Sequence, residues 1–363
     1  EKSIVLLQNK NHTLPLAKDL PFVYLGGPFA GDIRSLIGNY HGLNDNMVTL
    51  VEGVMTKTSP STRHQYRSGC LVADDNKNPM DWFSSQAKDA DATIVGLGLT
   101  ILLEGEEGEA IASAKKGDNT SMKLPEAQMK YLRKISAAKN RTGKKLIAVI
   151  FSGCPLDLTE VIDLADAVIY AWYPGQEGGQ ALANIIFGDT SPSGKLPISF
   201  PRSAEDLPPY EDYSMKGRTY KYMTKKPLYP FGFGLSYAKF EISEPIMDKR
   251  KMNAGESIKL TVPISNTGAI NADEVIQLYI SLLEADVTVP QSELKSFKRI
   301  PLQAGQSTLV NFELNESMFY YINEDGDTVS YKGKAKVHVG NASPCSRSKD
   351  LGASVQSIEI EVL

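Results

Sequence analysis

Short apolar runs with scarcely a polar break recur through the first half of the chain: Pro21-Phe22-Val23-Tyr24-Leu25-Gly26, Ala92 to Gly96, Lys145 to Phe151 and Asp166 to Trp172. Runs of this length, apolar on both faces, predict buried strands, and the stretches between them have helical make-up. Helices are expected over Asp81 to Lys88, from Leu124-Pro125 onward, over Leu156 to Leu164 and up to Phe187-Gly188. Pro125 suits a first helical position and Glu126 the positive helix end, while Met129, Leu132 and Ile135 follow at i, i+3 and i+6 toward a core. Ser3 to Asn9 reads as a short amphipathic entry segment with an extended exit at Leu14-Pro15-Leu16. The alternation predicts an α/β fold: a mainly parallel sheet with helices on both faces.

From Phe240 the pattern changes to period 2. Ser257 to Ile264, Glu274 to Ile280, Glu293 to Ile300, Ser307 to Leu314 and Lys334 to Val339 alternate, with turn residues between them, and predict an all-β immunoglobulin-like sandwich. Leu207 to Tyr237, rich in Pro, Gly and Tyr, follows neither period and predicts an ordered connector. The expected organisation is therefore an α/β sandwich domain at 1–203, a connector at 204–239 and a β-sandwich at 240–363.

With 363 residues, 42% of them hydrophobic, the chain can fill two cores. A net charge of -4 gives no basic footprint, so nucleic acid is not an expected partner. No apolar run reaches membrane-spanning length, and no membrane partner is expected. The first residues lack a basic stretch followed by a long apolar one, and without an initial Met a leader or a whole upstream domain could have been removed. Cys70, Cys154 and Cys345 are too scattered for a disulfide framework or a metal site. Five Asn-x-Ser/Thr sequons, at Asn11, Asn119, Asn140, Asn315 and Asn341, would permit glycosylation in a secretory route.

Candidate chemistry concentrates where the Ala92 strand runs out into Gly96-Leu97-Gly98-Leu99-Thr100-Ile101-Leu102-Leu103-Glu104-Gly105-Glu106-Glu107-Gly108-Glu109. Carboxyl ends of strands in an open α/β sheet are where ligands bind. Four glutamates in six residues crowd like charges, which raises at least one carboxyl pKa and suits it to general acid work. The plain alternative is a solvated acidic loop. Gln176 and Glu177 also emerge at a strand end, although Glu177 reads more simply as a helix cap. His41 and His64 read as loop or surface residues. Gly26-Gly27-Pro28 lacks the spacing of a nucleotide cradle, which argues against a nucleotide or flavin protein.

Several blocks resemble glycoside hydrolase family 3, a family of retaining β-glycosidases. They are the acidic loop with the later Gly117-Asp118 and Leu124-Pro125-x-x-Gln128, then Tyr173-Pro174-Gly175-Gln176-Glu177-Gly178-Gly179-Gln180-Ala181-Leu182, and Pro192-Ser193-Gly194-Lys195-Leu196-Pro197. Pro230-Phe231-Gly232-Phe233-Gly234-Leu235-Ser236-Tyr237 is similar as well, and Asn266-Thr267-Gly268 resembles the fibronectin type III-like domain that closes many members. Gly217-Arg218-Thr219-Tyr220-Lys221-Tyr222 is nearer the β-xylosidase branch. The resemblance implies a C-terminal portion that supplies the acid/base from the acidic loop, in the order Glu106, Glu104, Glu107. It implies a nucleophilic Asp on an upstream (β/α)8 barrel, and inactivity without that barrel. Met80-Asp81-Trp82 does not have the context of the family's Ser-Asp-Trp block. In place of the family's Asp-Arg the chain has Asp118-Asn119, and Asp118 reads as a loop-fixing residue. The implied partners are a β-linked oligosaccharide or aryl glycoside and the barrel. No cofactor or metal is implied, and a secreted or periplasmic location is expected. A non-catalytic carbohydrate-binding or interaction module is the competing expectation.

Overall fold

The structure is a computed structural model and describes residues 1–38, 42, 44–75, 77, 82–104, 121–140 and 142–363. The chain divides into two compact units, Glu1–Gly194 with Arg202–Ala204, and Lys195–Pro201 with Glu205–Leu363.

The first unit contains β1 (Val5–Asn9), β2 (Phe22–Gly26), α1 (Leu50–Lys57), β3 (Arg63–Arg67), α2 (Trp82–Ala87) and β4 (Ala92–Gly98). It continues with α3 (Ile101–Glu104), α4 (Glu126–Asn140), β5 (Lys145–Phe151), α5 (Thr159–Leu164), β6 (Ala167–Tyr170) and α6 (Gly178–Ile186). Its sheet runs β1-β6-β5-β4-β2-β3, parallel except for β1. β4 is buried at every position and β5 at all but Lys145, the run expected of strands covered on both faces. Met129, Leu132 and Ile135 of α4 are buried, as their spacing requires.

Two expectations change here. Ser3 to Asn9 is not merely an entry segment, since β1 pairs antiparallel with β6, Val5 opposite Tyr170, and closes an edge that would otherwise stay open. His64 lies in edge strand β3, with Nε2 2.6 Å from Thr58 Oγ1, and partial burial lowers its pKa.

Helix α1 is entered through a capping box, Thr49 Oγ1 accepting from the Glu52 amide while the Glu52 carboxylate accepts from the Thr49 amide. It meets α6 backbone to backbone. A Cβ on Gly53 would lie 2.0 Å from the Gly179 carbonyl oxygen, so glycine is required for the approach.

The second unit begins with a connector carrying α7 (Thr219–Tyr222), then β7 (Phe240–Ile242), β8 (Ile246–Met247), β9 (Lys251–Met252), β10 (Ser257–Asn266) and β11 (Ala272–Leu282). After these come β12 (Glu293–Leu302), β13 (Ser307–Asn315), β14 (Tyr320–Ile322), β15 (Thr328–Ser330), β16 (Gly333–Gly340), α8 (Ser346–Asp350) and β17 (Val355–Val362). One sheet runs β13-β10-β7 with β8 also on β10, a second runs β12-β11-β16-β17-β9, and β14 and β15 pair with each other as a two-stranded sheet. Ile258, Leu260, Val262 and Ile264 point inward at alternate positions of β10 and share a core with Ile276, Leu278, Val337 and Ile360. This is a fibronectin-type sandwich, built as period 2 demands.

Candidate active site

The carboxyl ends of β2, β4 and β5 converge through contacts that only small residues allow. A Cβ on Gly27, whose φ is +86°, would sit 2.2 Å from the Gly96 carbonyl oxygen, so the loop after β2 lies directly on β4. Gly98 ends β4 with φ +155°, and a Cβ there would reach 1.9 Å from the Phe151 carbonyl oxygen. The buried Gln128 clamps this last strand residue from both sides. Its Oε1 accepts from the Gly98 amide at 2.9 Å, and its Nε2 donates to the Gly98 carbonyl at 2.9 Å and to that of Val72 at 2.7 Å. The Leu124-Pro125-x-x-Gln128 block thus sets where β4 stops and the acidic stretch begins.

Instead of entering a loop at once, the chain makes one helical turn. The Leu103 and Glu104 amides both donate to the Thr100 carbonyl, and the turn places Glu104 beside the end of β5. Glu104 Oε1 accepts from the Gly153 amide at 2.7 Å and from the Ser152 hydroxyl at 3.2 Å. Ser152 is fully buried, and its single proton is shared with the Cys154 carbonyl at 3.1 Å. Tyr173 closes the cluster, its hydroxyl donating to the Leu99 carbonyl at 3.3 Å. Burial, and after it the neighbouring Glu104 carboxylate, push the Tyr173 hydroxyl far above its ordinary range, so it stays protonated. Trp172, immediately before it, takes a left-handed φ of +60°, a strained conformation of the kind that collects at functional sites, and donates Nε1–H to the Ser3 carbonyl.

Of the three glutamates ranked from the sequence, Glu104 is held in this cluster, while Glu106 and Glu107 lie outside the described residues, as do Glu109, Asp118, Asn119 and His41. Glu177 occupies the N-cap position of α6 without a capping side-chain hydrogen bond, and it and Gln176 face solvent. Ser152, Gly153 and Tyr173 were not singled out by sequence reasoning as site residues. All three follow strand ends, which is the signal that could have found them. Burial pushes the Cys154 thiol up and that of Cys70 to about 12, so neither is a ready nucleophile. Among the described residues no cluster of His, Cys, Asp and Glu could hold a metal ion, and no helix is long and apolar enough to cross a membrane.

The chain is similar to known proteins over nearly its whole length. Residues 4–237 match the glycosyl hydrolase family 3 C-terminal domain and residues 274–343 match a fibronectin type III-like domain. A beta-xylosidase of Formosa agariphila is 32% identical over 98% of the chain and 49% of its own length. A periplasmic beta-glucosidase of Salmonella typhimurium is 30% identical over 93% of the chain and 47% of its own length. A crystal structure of a beta-glucosidase from Listeria innocua in complex with glucose superposes with a TM-score of 0.80 at 27% identity, covering 99% of the chain and 48% of that structure. The chain spans about half the length of these relatives.

Proposed function

The chain belongs to glycosyl hydrolase family 3, and from that premise we propose that it is the C-terminal portion of a retaining, exo-acting β-glycosidase that supplies the general acid/base. The observation that carries the proposal is the position of Glu104, gripped at the carboxyl end of β5 where the acidic stretch leaves β4. A retaining glycosidase needs two carboxyl groups about 5 Å apart. In this reading Glu106 protonates the departing glycosidic oxygen while an aspartate on an upstream barrel bonds to the anomeric carbon. The Glu106 carboxylate then takes a proton from the water that releases the sugar. Glu104 ranks second and Glu107 third for that role. The bonds to Ser152 and Gly153 suit Glu104 to anchoring the start of the stretch.

The substrate proposed is a β-linked oligosaccharide or aryl glycoside, with β-xyloside favoured over β-glucoside. The Gly217-Arg218-Thr219-Tyr220-Lys221-Tyr222 block supports that order, and the two curated relatives compared bear one name of each kind. A secreted or periplasmic location is supported by the relative named as periplasmic. Hydrolysis of aryl β-xyloside and aryl β-glucoside by the purified chain tests the division of labour. No turnover alone and turnover after a family barrel is joined upstream are expected. Turnover by the chain alone, or none with any barrel, would overturn it.

A further inference from the structure

The block from Gly217 to Tyr222 has structural features that the proposed reaction does not use. Thr219, a β-branched residue, is held at φ +52°, a backbone region such residues rarely occupy. Its neighbours account for the restraint. The Arg218 guanidinium donates to the carbonyls of Pro209 at 2.9 Å, Asp212 at 2.5 Å and Ser214 at 3.2 Å. Tyr220 stacks on Phe231 with centroids 4.2 Å apart, and its oxygen accepts from the Leu294 amide. The Gln291 amide donates to the Lys221 carbonyl, and its side chain donates to that of Met223. Helix α7 is therefore bolted on both sides, and what it presents is Lys221 and Tyr222.

These two residues form one wall of a cleft of about 380 Å³ in the second unit, a volume within the range of ligand clefts, about 300–1,000 Å³. Glu293 and Lys295 of β12 and Tyr320 and Ile322 of β14 form other parts of its lining. Glu293 bridges the ammonium groups of Lys221 and Lys295, each at 2.6 Å. Each ammonium has three donors and spends one on that carboxylate, leaving N–H groups for a ligand. Tyr320 is 38% exposed and Ile322 56% exposed, two positions apart on one face of a strand. Large apolar groups left open beside a preformed rim of donors and acceptors suit a pyranose, whose C–H face stacks on an aromatic ring while its hydroxyls meet the charged groups. Glu293 adds a carboxylate acceptor between the two ammonium donors, a mixed rim that matches hydroxyl groups, which both donate and accept.

We infer that this cleft is a binding site for a short oligosaccharide of neutral pyranoses, an inference that stands independently of the proposed catalysis. Titration calorimetry of the 363-residue chain with xylohexaose and cellohexaose tests it. Saturable binding of at least one is expected, weakened about tenfold by Tyr320→Ala and retained by Tyr320→Phe. Ile322→Arg, at an exposed position, should block the same site. The inference is overturned if neither sugar binds, or if binding is unchanged in Tyr320→Ala and Ile322→Arg proteins that melt at the parent temperature.

Discussion

Lys195→Met should cost the second unit more stability than any exposed charge in it. The Lys195 side chain is 10% exposed and that of its partner Glu274 3%, with Nζ 2.8 Å from Oε1. Lys195 also donates to the Gly234 carbonyl at 2.9 Å, while Glu274 accepts from the Val275 amide at 2.7 Å and Asn341 Nδ2 at 3.0 Å. Removing the ammonium strands a buried carboxylate on two neutral donors and leaves the Gly234 carbonyl without that donor. Breaking a buried pair in this way costs about 3–5 kcal/mol. At about 2–4 °C per kcal/mol for a unit of this size, the melting transition of the second unit should fall by roughly 6–20 °C. Adding Glu274→Gln should recover part of the loss, because no charge is then left alone. Differential scanning calorimetry of the parent, the two single variants and the double variant gives the answer. A single-variant loss below about 1 kcal/mol, or a double variant worse than the sum of its parts, would refute the reasoning.

Gln128→Leu should leave both polar groups of Gly98 unpaired at a cost of about 2–4 kcal/mol, seen as a lowered denaturation midpoint with faster hydrogen exchange at the Gly98 amide. Glu104→Ala should speed exchange of the Gly153 amide at least about tenfold and lower turnover in a barrel-bearing protein without altering its dependence on the leaving group. His338 gives a pH prediction. Burial first, and the Lys336 charge second, lower its pKa to about 4 from 6.5. The fold prefers the neutral ring, so this stabilisation is complete above about pH 6.5 and is lost as pH falls toward 4, by up to about 3 kcal/mol. Because Ser281 spends its proton on the Gln291 carbonyl, His338 Nε2–H donates to Ser281 and Nδ1 accepts from Ser357. Denaturant melts between pH 4 and 7 should show the loss in the parent chain and a flatter profile in His338→Gln.

The parts of the fold legible in the sequence were those set by local pattern. Continuous apolar runs gave away β4 and β5, and strict alternation gave away β10 and β13. What escaped depends on neighbours distant in the chain. β1 is a strand because β6 offers it an open edge, and β17 was not singled out although it pairs with β16 along eight residues, from Gly333 opposite Val362 to Gly340 opposite Val355. The same holds at the candidate site. The acidic stretch is conspicuous as sequence, yet nothing local to Glu104 reveals that Gly153 and Ser152, at the end of another strand, will hold it. Gln128 was legible as a member of a motif, and its role became apparent only beside Gly98.

Glu106→Gln in the barrel-bearing protein tests the central claim most directly. The account predicts that hydrolysis of xylobiose falls by about 10²–10⁴, while attack on an aryl xyloside whose leaving group needs no proton persists and added azide restores its turnover. Equal loss on both substrates, or unchanged hydrolysis of xylobiose, would contradict it.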